Sequence, residues 1–214
     1  RNPARGAAAL ASLGPGARFH AADAGDAVQV TGLIEACLAA LGGIDILMSC
    51  AGGDPQPRLL AEIPVDTLIG DITDALAPVI LPVRAVLPVM IAQGGGSVIC
   101  VASDAGKLAT PGEVAIGAAM AAIIQFSRAT AFEAKRQMIR VNCLTPSIVE
   151  GTPLHDRLMA DKFAGQLFGK AKTRAHLGVV TPGDLAAMAT FLASDEAARV
   201  TGQTISVTGG ISAI

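Results

Sequence analysis

The sequence predicts an α/β protein: one parallel sheet, doubly wound, with helices on both faces. Two observations predict it. Short apolar runs alternate with longer amphipathic stretches along almost the whole chain, as strands joined by crossover helices do. The length of 214 residues suits one domain with ample capacity to bury a core, so residues 1–214 are read as a single unit.

The elements follow in order. Ala17-Arg-Phe-His-Ala-Ala22 reads as a strand. Ala27 to Leu41 reads as a helix stopped by Gly42-Gly43, since glycine adopts the left-handed conformation that ends a helix. Ile44-Asp-Ile-Leu-Met-Ser49 is the next strand, and a loop rich in Gly and Pro follows from Gly52 to Pro57. A long helical region spans 67–93, with an interruption or bend expected near Pro78 and Pro82. Ser97-Val-Ile-Cys-Val-Ala102 is a buried strand, Glu113 to Arg136 a long helix, and Met138-Ile-Arg-Val-Asn-Cys143 a strand. Residues 150–177 form a loop-helix excursion, Pro182 to Ser194 a helix, and Thr204-Ile-Ser-Val207 the last strand. No internal repeat or low-complexity tract is visible.

Hydrophobic residues make up 51% of the chain and charged residues only 16%, against about 25% charged in a typical domain. That shortfall favours a large surface covered by a partner, because obligate interfaces are apolar and poor in charge. A net charge of −2 gives no reason to expect nucleic-acid binding. The apolar stretches are broken by Gly, Pro, Arg or Asp before reaching the roughly 20 residues of a membrane helix. No signal peptide is visible, and the expected setting is cytoplasmic, without membrane contact. Cys37, Cys50, Cys100 and Cys143 are evenly spread and read as buried free thiols. With His20, His155 and His176 not clustered near them, no metal site is expected.

The beginning departs from a doubly wound nucleotide fold. Such folds open with strand, glycine-rich turn and helix, where backbone N–H groups hold the pyrophosphate. No such unit is found, and the chain does not start with Met. By resemblance to such folds, either an N-terminal β-α-β unit of about 30 residues or more is missing from the sequence shown, or the protein lacks the cofactor loop.

Several motifs carry a resemblance. The run from Phe191 to Gly210, with Phe191-Leu-Ala-Ser-Asp-Glu-Ala and Thr201-Gly-Gln, is similar to the ending "FLASDEA…TGQ…VDGG" of short-chain dehydrogenases/reductases. Ile139-Arg-Val-Asn-Cys-Leu-Thr-Pro146 resembles that family's "IRVNxxxPG", Thr181-Pro-Gly-Asp-Leu-Ala186 its "tPeDvA", and Arg84-Ala-Val-Leu-Pro-Val-Met90 its "RAVLPhM". These lie in the family's order over about 190 residues. The resemblance implies a Rossmann-like fold, NAD-dependent hydride transfer, an Asn-Ser-Tyr-Lys catalytic set, and a substrate lid at about 150–180.

Carried over by position, that set is degenerate. Gly96-Ser-Val-Ile-Cys-Val-Ala-Ser103 fits the strand that ends in the catalytic serine. The tyrosine position, thirteen residues on, is Ile116, and the lysine position, four further, is Met120. Ile116-Gly-Ala-Ala-Met-Ala-Ala122 aligns with "YxASKAA". The asparagine position, nine residues before Arg84, is Ala75, and the chain contains no tyrosine at all. The cofactor positions are eroded too. Ser49-Cys50-Ala51-Gly52 stands for Asn-Asn-Ala-Gly and Pro146-Ser147 for Pro-Gly, while Asp23, Ala51 and Gly52 remain as vestiges. A solvated polar residue at a strand end also accounts for Asp23.

The chemistry makes the loss serious. Carbonyl reduction needs a proton for the forming alkoxide, and a phenol of pKa about 10 becomes useful when an ammonium lowers it. Residues four apart share a helix face, so Ile116 and Met120 make apolar what would be an acid-base site. Acid-base assistance is worth roughly 10²–10⁴-fold. Glu113, one turn before Ile116, is the candidate for a relocated acid; its alternative reading is a solvated helix start. Asp104 and Lys107 also follow Ser103. Lys170, Lys172, Arg174 and His176 form a basic set in the lid, able to attract an acyl-CoA phosphate or simply solvated.

By resemblance, the helices at 67–93 and 113–136 pack against the same helices of a second subunit, and the tail at 205–214 joins another interface. The leading expectation is therefore a non-catalytic subunit of a hetero-oligomeric NAD-dependent dehydrogenase. It binds no cofactor itself, while NAD sits in an active homologous partner. The type it resembles is the inactive subunit of heteromeric hydroxyacyl-CoA dehydrogenases, one being the toluene-degradation enzyme acting on 2-(hydroxybenzyl)succinyl-CoA. Two alternatives stay open: an active oxidoreductase with Glu113 as its acid, and a stand-alone ligand-binding homo-oligomer.

Overall fold

The computed structural model of the chain describes residues 2–52 and 56–213. Arg1, Ile214 and the middle of the expected loop at 52–57 lie outside the described residues. Four parallel strands, β1 (Ile46–Ser49), β2 (Gly96–Val101), β3 (Ile139–Pro146) and β4 (Thr204–Val207), lie side by side in chain order. α3 (Leu68–Gln93) crosses from β1 to β2 and α4 (Val114–Ala134) from β2 to β3. The last crossover carries α5 (Pro153–Ala160), α6 (Lys162–Lys172) and α7 (Pro182–Ala193). α1 (Pro3–Leu13) and α2 (Ala27–Leu41) precede the sheet.

β2 and β3 are apolar on both faces because both faces are covered. Toward α3 and α4, fully buried Val98, Cys100, Val141 and Cys143 meet Val83, Val86, Met90 and Ile123. On the opposite face Ile99 and Leu144 meet Ala189 and Leu192 of α7. Polar side chains within these strands are satisfied locally. Arg140 Nη1 donates to Leu192 O at 2.7 Å, and Asn142 Nδ2 donates to Val200 O at 3.0 Å. Both bonds tie β3 to the segment that leads into β4.

The helix ends follow their local chemistry. Asp26 caps α2 by accepting from Val28 N–H and Gln29 N–H, and Gly42 closes it at φ 77°. Thr181 and Asp184 form a capping box at the start of α7, with Pro182 at its first turn.

Four expectations need correction. Residues 17–22 form no strand. They pair with no strand among the described residues, and the outer edge of β1 stays open, with Ile46 and Met48 exposed. α1 was not anticipated, although Asn2-Pro3 is a start signal: Asn2 Oδ1 accepts from Arg5 N–H at 3.1 Å and Pro3 opens the helix. α3 runs unbroken through Pro78, Pro82 and Pro88. Its buried row of Val79, Val83, Val86 and Met90 holds the helix where proline removes backbone bonds. By length and composition the helices at 68–93 and 114–137 are apolar enough to cross a membrane, contrary to the reading of broken stretches; both pack on the sheet.

The core predicts its own weak point. Ile123 on α4 is 0% exposed, and Ile123→Ala should lower unfolding free energy by about 2–5 kcal/mol in urea titration.

Candidate functional site

The parallel register fixes where a site can lie. In such sheets the carboxyl ends of the strands share one edge, and the crevice beyond that edge takes ligands. β2 ends just before Ser103, and β3 ends at Pro146 beside it, since Val101 pairs with Leu144 and Ala102 N–H donates to Leu144 O at 2.9 Å. Beyond these ends opens a cavity of about 950 Å³, roofed by α5, α6 and the start of α7.

All four degenerate positions line it. Ala75 reaches it from α3, Ser103 from the end of β2, and Ile116 and Met120 from α4. Two close approaches hold Ser103 near that helix. A β-carbon on Gly106 would lie 2.7 Å from the backbone of Met120 and Ala121, and one on Gly117 would lie 2.8 Å from Ala105 O. Only glycine permits the turn at 104–106 to sit directly on α4. Ser103 Oγ accepts from Ala105 N–H at 3.2 Å, a cap on that turn.

The carboxylates stand out. Asp104 lines the cavity at 4% exposure, and its Oδ1 has no hydrogen-bond partner. Glu113 lines it as well. Burial raises its carboxyl above the usual range, and the charge of Asp104 adds to this against a hydrogen bond with Thr110. Sequence reasoning named Glu113, with Asp104 and Lys107 after Ser103, as residues that could replace the lost acid; it did not foresee the burial of Asp104, because a residue next to a strand-end serine carries no burial signal.

Of the lid cations, Lys170 and Arg174 line the cavity with His155. Lys172 is paired with Glu150 and lies 3.4 Å from His155 Nε2, and His176 does not line the cavity. Cys100 and Cys143, opposed in the β2–β3 register, are buried free thiols; burial first, then mutual repulsion, pushes Cys143 up to about 12. Cys37, half-buried, and Cys50, exposed just after the edge strand β1, depart from the expectation of burial. Among the described residues no group of three metal-binding side chains forms.

The positions that the resemblance assigns to a nicotinamide dinucleotide are engaged elsewhere or lack polar side chains. Ser49 Oγ is committed to Val79 O at 2.8 Å. Asp23 Oδ1 accepts from Gly25 N–H at 2.9 Å in a local turn, and Asp23 does not line the cavity; Ala51 and Gly52 do, without side chains able to hydrogen-bond.

Comparison with known proteins places this arrangement. A family model described as enoyl-(acyl carrier protein) reductase matches residues 1–212. An oxidoreductase of Bacillus subtilis, YxbG, is 35% identical over 199 residues, spanning 91% of this chain and 72% of that protein. A crystal structure of a short-chain dehydrogenase/reductase from Burkholderia xenovorans shares 32% identity with a TM-score of 0.81, over 90% of this chain and 74% of that one. A gluconate 5-dehydrogenase from Burkholderia cenocepacia, solved with NADP and tartrate, shares 29% identity with a TM-score of 0.79, again over 90% and 74%.

The raised Glu113 carboxyl has a pH signature. In the folded chain it holds its proton to higher pH than in the unfolded chain, whose ordinary value is 4.5. Its contribution to stability is therefore complete below that value and lost as pH rises through the folded pKa. Glu113→Gln, which stays neutral, should stabilise the chain near neutral pH relative to wild type and have little effect below pH 4.5, as read by urea unfolding at both pH values.

Proposed function

We propose that this chain, which belongs to the short-chain dehydrogenase/reductase family, serves as a non-catalytic subunit of a hetero-oligomeric NAD-dependent dehydrogenase. The observation that carries the reading is the wall formed by Ile116 and Met120, which line the cavity one helical turn apart beside Ser103. Neither can give or take a proton, and no tyrosine exists elsewhere in the chain to replace the phenol. NAD belongs, on this reading, to an intact homologous partner. A hydroxyacyl-CoA such as 2-(hydroxybenzyl)succinyl-CoA is the proposed substrate class of that complex.

The helix surfaces support a partner. In the most apolar stretches of the helices at 68–93 and 114–137, only 33% and 39% is buried within the chain. Ile69, Ile91, Val114 and Phe132 stay exposed on them. Covering such a surface stabilises an assembly by about 25 cal/mol per Å² of apolar area removed from water.

A second reading has its own observation. Glu113 shares the cavity with Ser103 and is held toward its neutral form by burial, so it has a proton to offer at higher pH than an ordinary carboxyl. It requires turnover by this chain that Glu113→Gln abolishes.

Co-expression with a family homologue that carries the full Asn-Ser-Tyr-Lys set, encoded beside this chain, tests the first reading. Light scattering after size-exclusion should show one complex containing both chains. Two separate homo-oligomers would contradict it.

A further inference from the structure

We propose that residues 152–177 form a lid that pivots at Gly151 and Gly178, and that the turn at 208–211 is the latch that holds this lid over the cavity. The proposal is independent of the subunit reading, since it concerns only how one chain opens and closes.

The lid is a weakly attached body. Among the helices and strands, α5 and α6 pack chiefly on each other. Each buries a single residue, Leu158 in α5 and Ala164 in α6. The outer rim rests on the site through the Phe163 ring, which lies against Gly112. So little buried surface puts the two helices at the low-stability end of the fold, from which moving elements are drawn.

The pivots are glycines. Gly151 has φ 74° and Gly178 has φ 102°, and a β-carbon on either would meet no atom within 4 Å. Crowding therefore does not account for glycine at these positions; the left-handed backbone does. They bracket the lid, and a few such residues absorb the rotation of a hinged body. The neck just outside them is closed. Val149 bridges Val180, and Glu150 N–H donates to Val180 O at 2.8 Å.

One tie crosses each pivot. Across Gly151, Lys172 of α6 pairs with Glu150, a half-exposed ion pair of small worth. Across Gly178, Leu177 N–H donates to Gly209 O at 3.0 Å. This second tie is the firmer. Gly209, at φ 65°, sits so close to Gly178 O that a β-carbon on it would collide there. Ile211, two residues on, lines the cavity.

The latch is anchored to the sheet. Within the turn, Ile211 N–H donates to Thr208 O at 3.3 Å and Thr208 Oγ1 to Ser212 O at 3.1 Å. β4 leads into it, with Val207 paired to Pro146 of β3. Lys107 Nζ donates to Ser206 Oγ at 2.8 Å, which joins β4 to the segment after Ser103. A swing of the lid about Gly178 must therefore break the bond from Leu177 to Gly209, because the turn cannot follow.

Hydrogen exchange on the full chain tests this. In the wild type, the Leu177 amide and those of α5 and α6 should open as one unit, at lower cost than β3. Gly209→Ala should speed exchange in α5 and α6 by about tenfold, the worth of one backbone hydrogen bond, with β3 unchanged. Gly202→Ala is the control. It imposes the same left-handed strain at φ 70°, with only an ordinary contact of 3.7 Å to Ala131, and should leave the lid at the wild-type rate. Unchanged lid exchange in folded Gly209→Ala, or equal acceleration in Gly202→Ala, would overturn the proposal. So would lid amides that open in the wild type while Leu177 stays as protected as β3, a comparison that stands even if Gly209→Ala does not fold. None of these results bears on whether the chain joins a partner, so failure of the latch and failure of the subunit reading are read separately.

Discussion

The parallel pairing of β2 with β3 is the constraint on which the rest of the structure depends. Six residue pairs, from Gly96 with Ile139 to Val101 with Leu144, fix the two strands so that their carboxyl ends coincide. That places Ser103 next to Pro146 and opens the cavity between them. It also forces α3 and α4 onto one face, where fully buried Val83, Val86 and Ile123 close over Val98, Cys100, Val141 and Cys143. A one-residue slip would exchange the side chains that meet α3 and α4 with those that meet α7 and would offset the strand ends, so both packings and the site would be lost together.

On this frame the family's architecture and its chemistry separate. The elements that set the fold are present: the alternation of strand and helix, the capping box of α7, and the glycines at 106 and 117 that seat the turn at 104–106 on α4. The positions that would move a proton hold Ile116 and Met120. Burial raises the Glu113 carboxyl, and Asp104 Oδ1 is buried without a donor. On the proposed reading, the chain contributes surface and a folded frame for a competent partner.

Most of the fold was legible because its signals are local. Strands β2, β3 and β4 and helices α2, α3, α4 and α7 follow from apolar periodicity with glycine, proline and capping residues at their ends. Residues 17–22 misled because a strand-like run becomes a strand only when its backbone pairs with a neighbour; they pair with none among the described residues although the edge of β1 stays open, and composition does not encode that pairing. α3 misled because proline weighs against a helix locally, while the burial that outweighs it is tertiary. At the site, Ala75, Ser103, Ile116 and Met120, assigned by resemblance to the family's motifs, all line one cavity. The burial of Asp104 was not foreseen, and the basic set in the lid was left undivided. Which of Lys170, Lys172 and Arg174 faces the cavity depends on Glu150, which is twenty or more residues away in sequence and meets only Lys172.

The central claim is that this chain cannot carry hydride transfer by itself. Formation of NADH by the purified chain, supplied with NAD and a hydroxyacyl-CoA, tests it most directly. The account predicts a rate indistinguishable from the reaction without protein. Turnover in the ordinary enzymatic range, about 1–10³ s⁻¹, would contradict it, and loss of that turnover in Glu113→Gln would assign the missing acid.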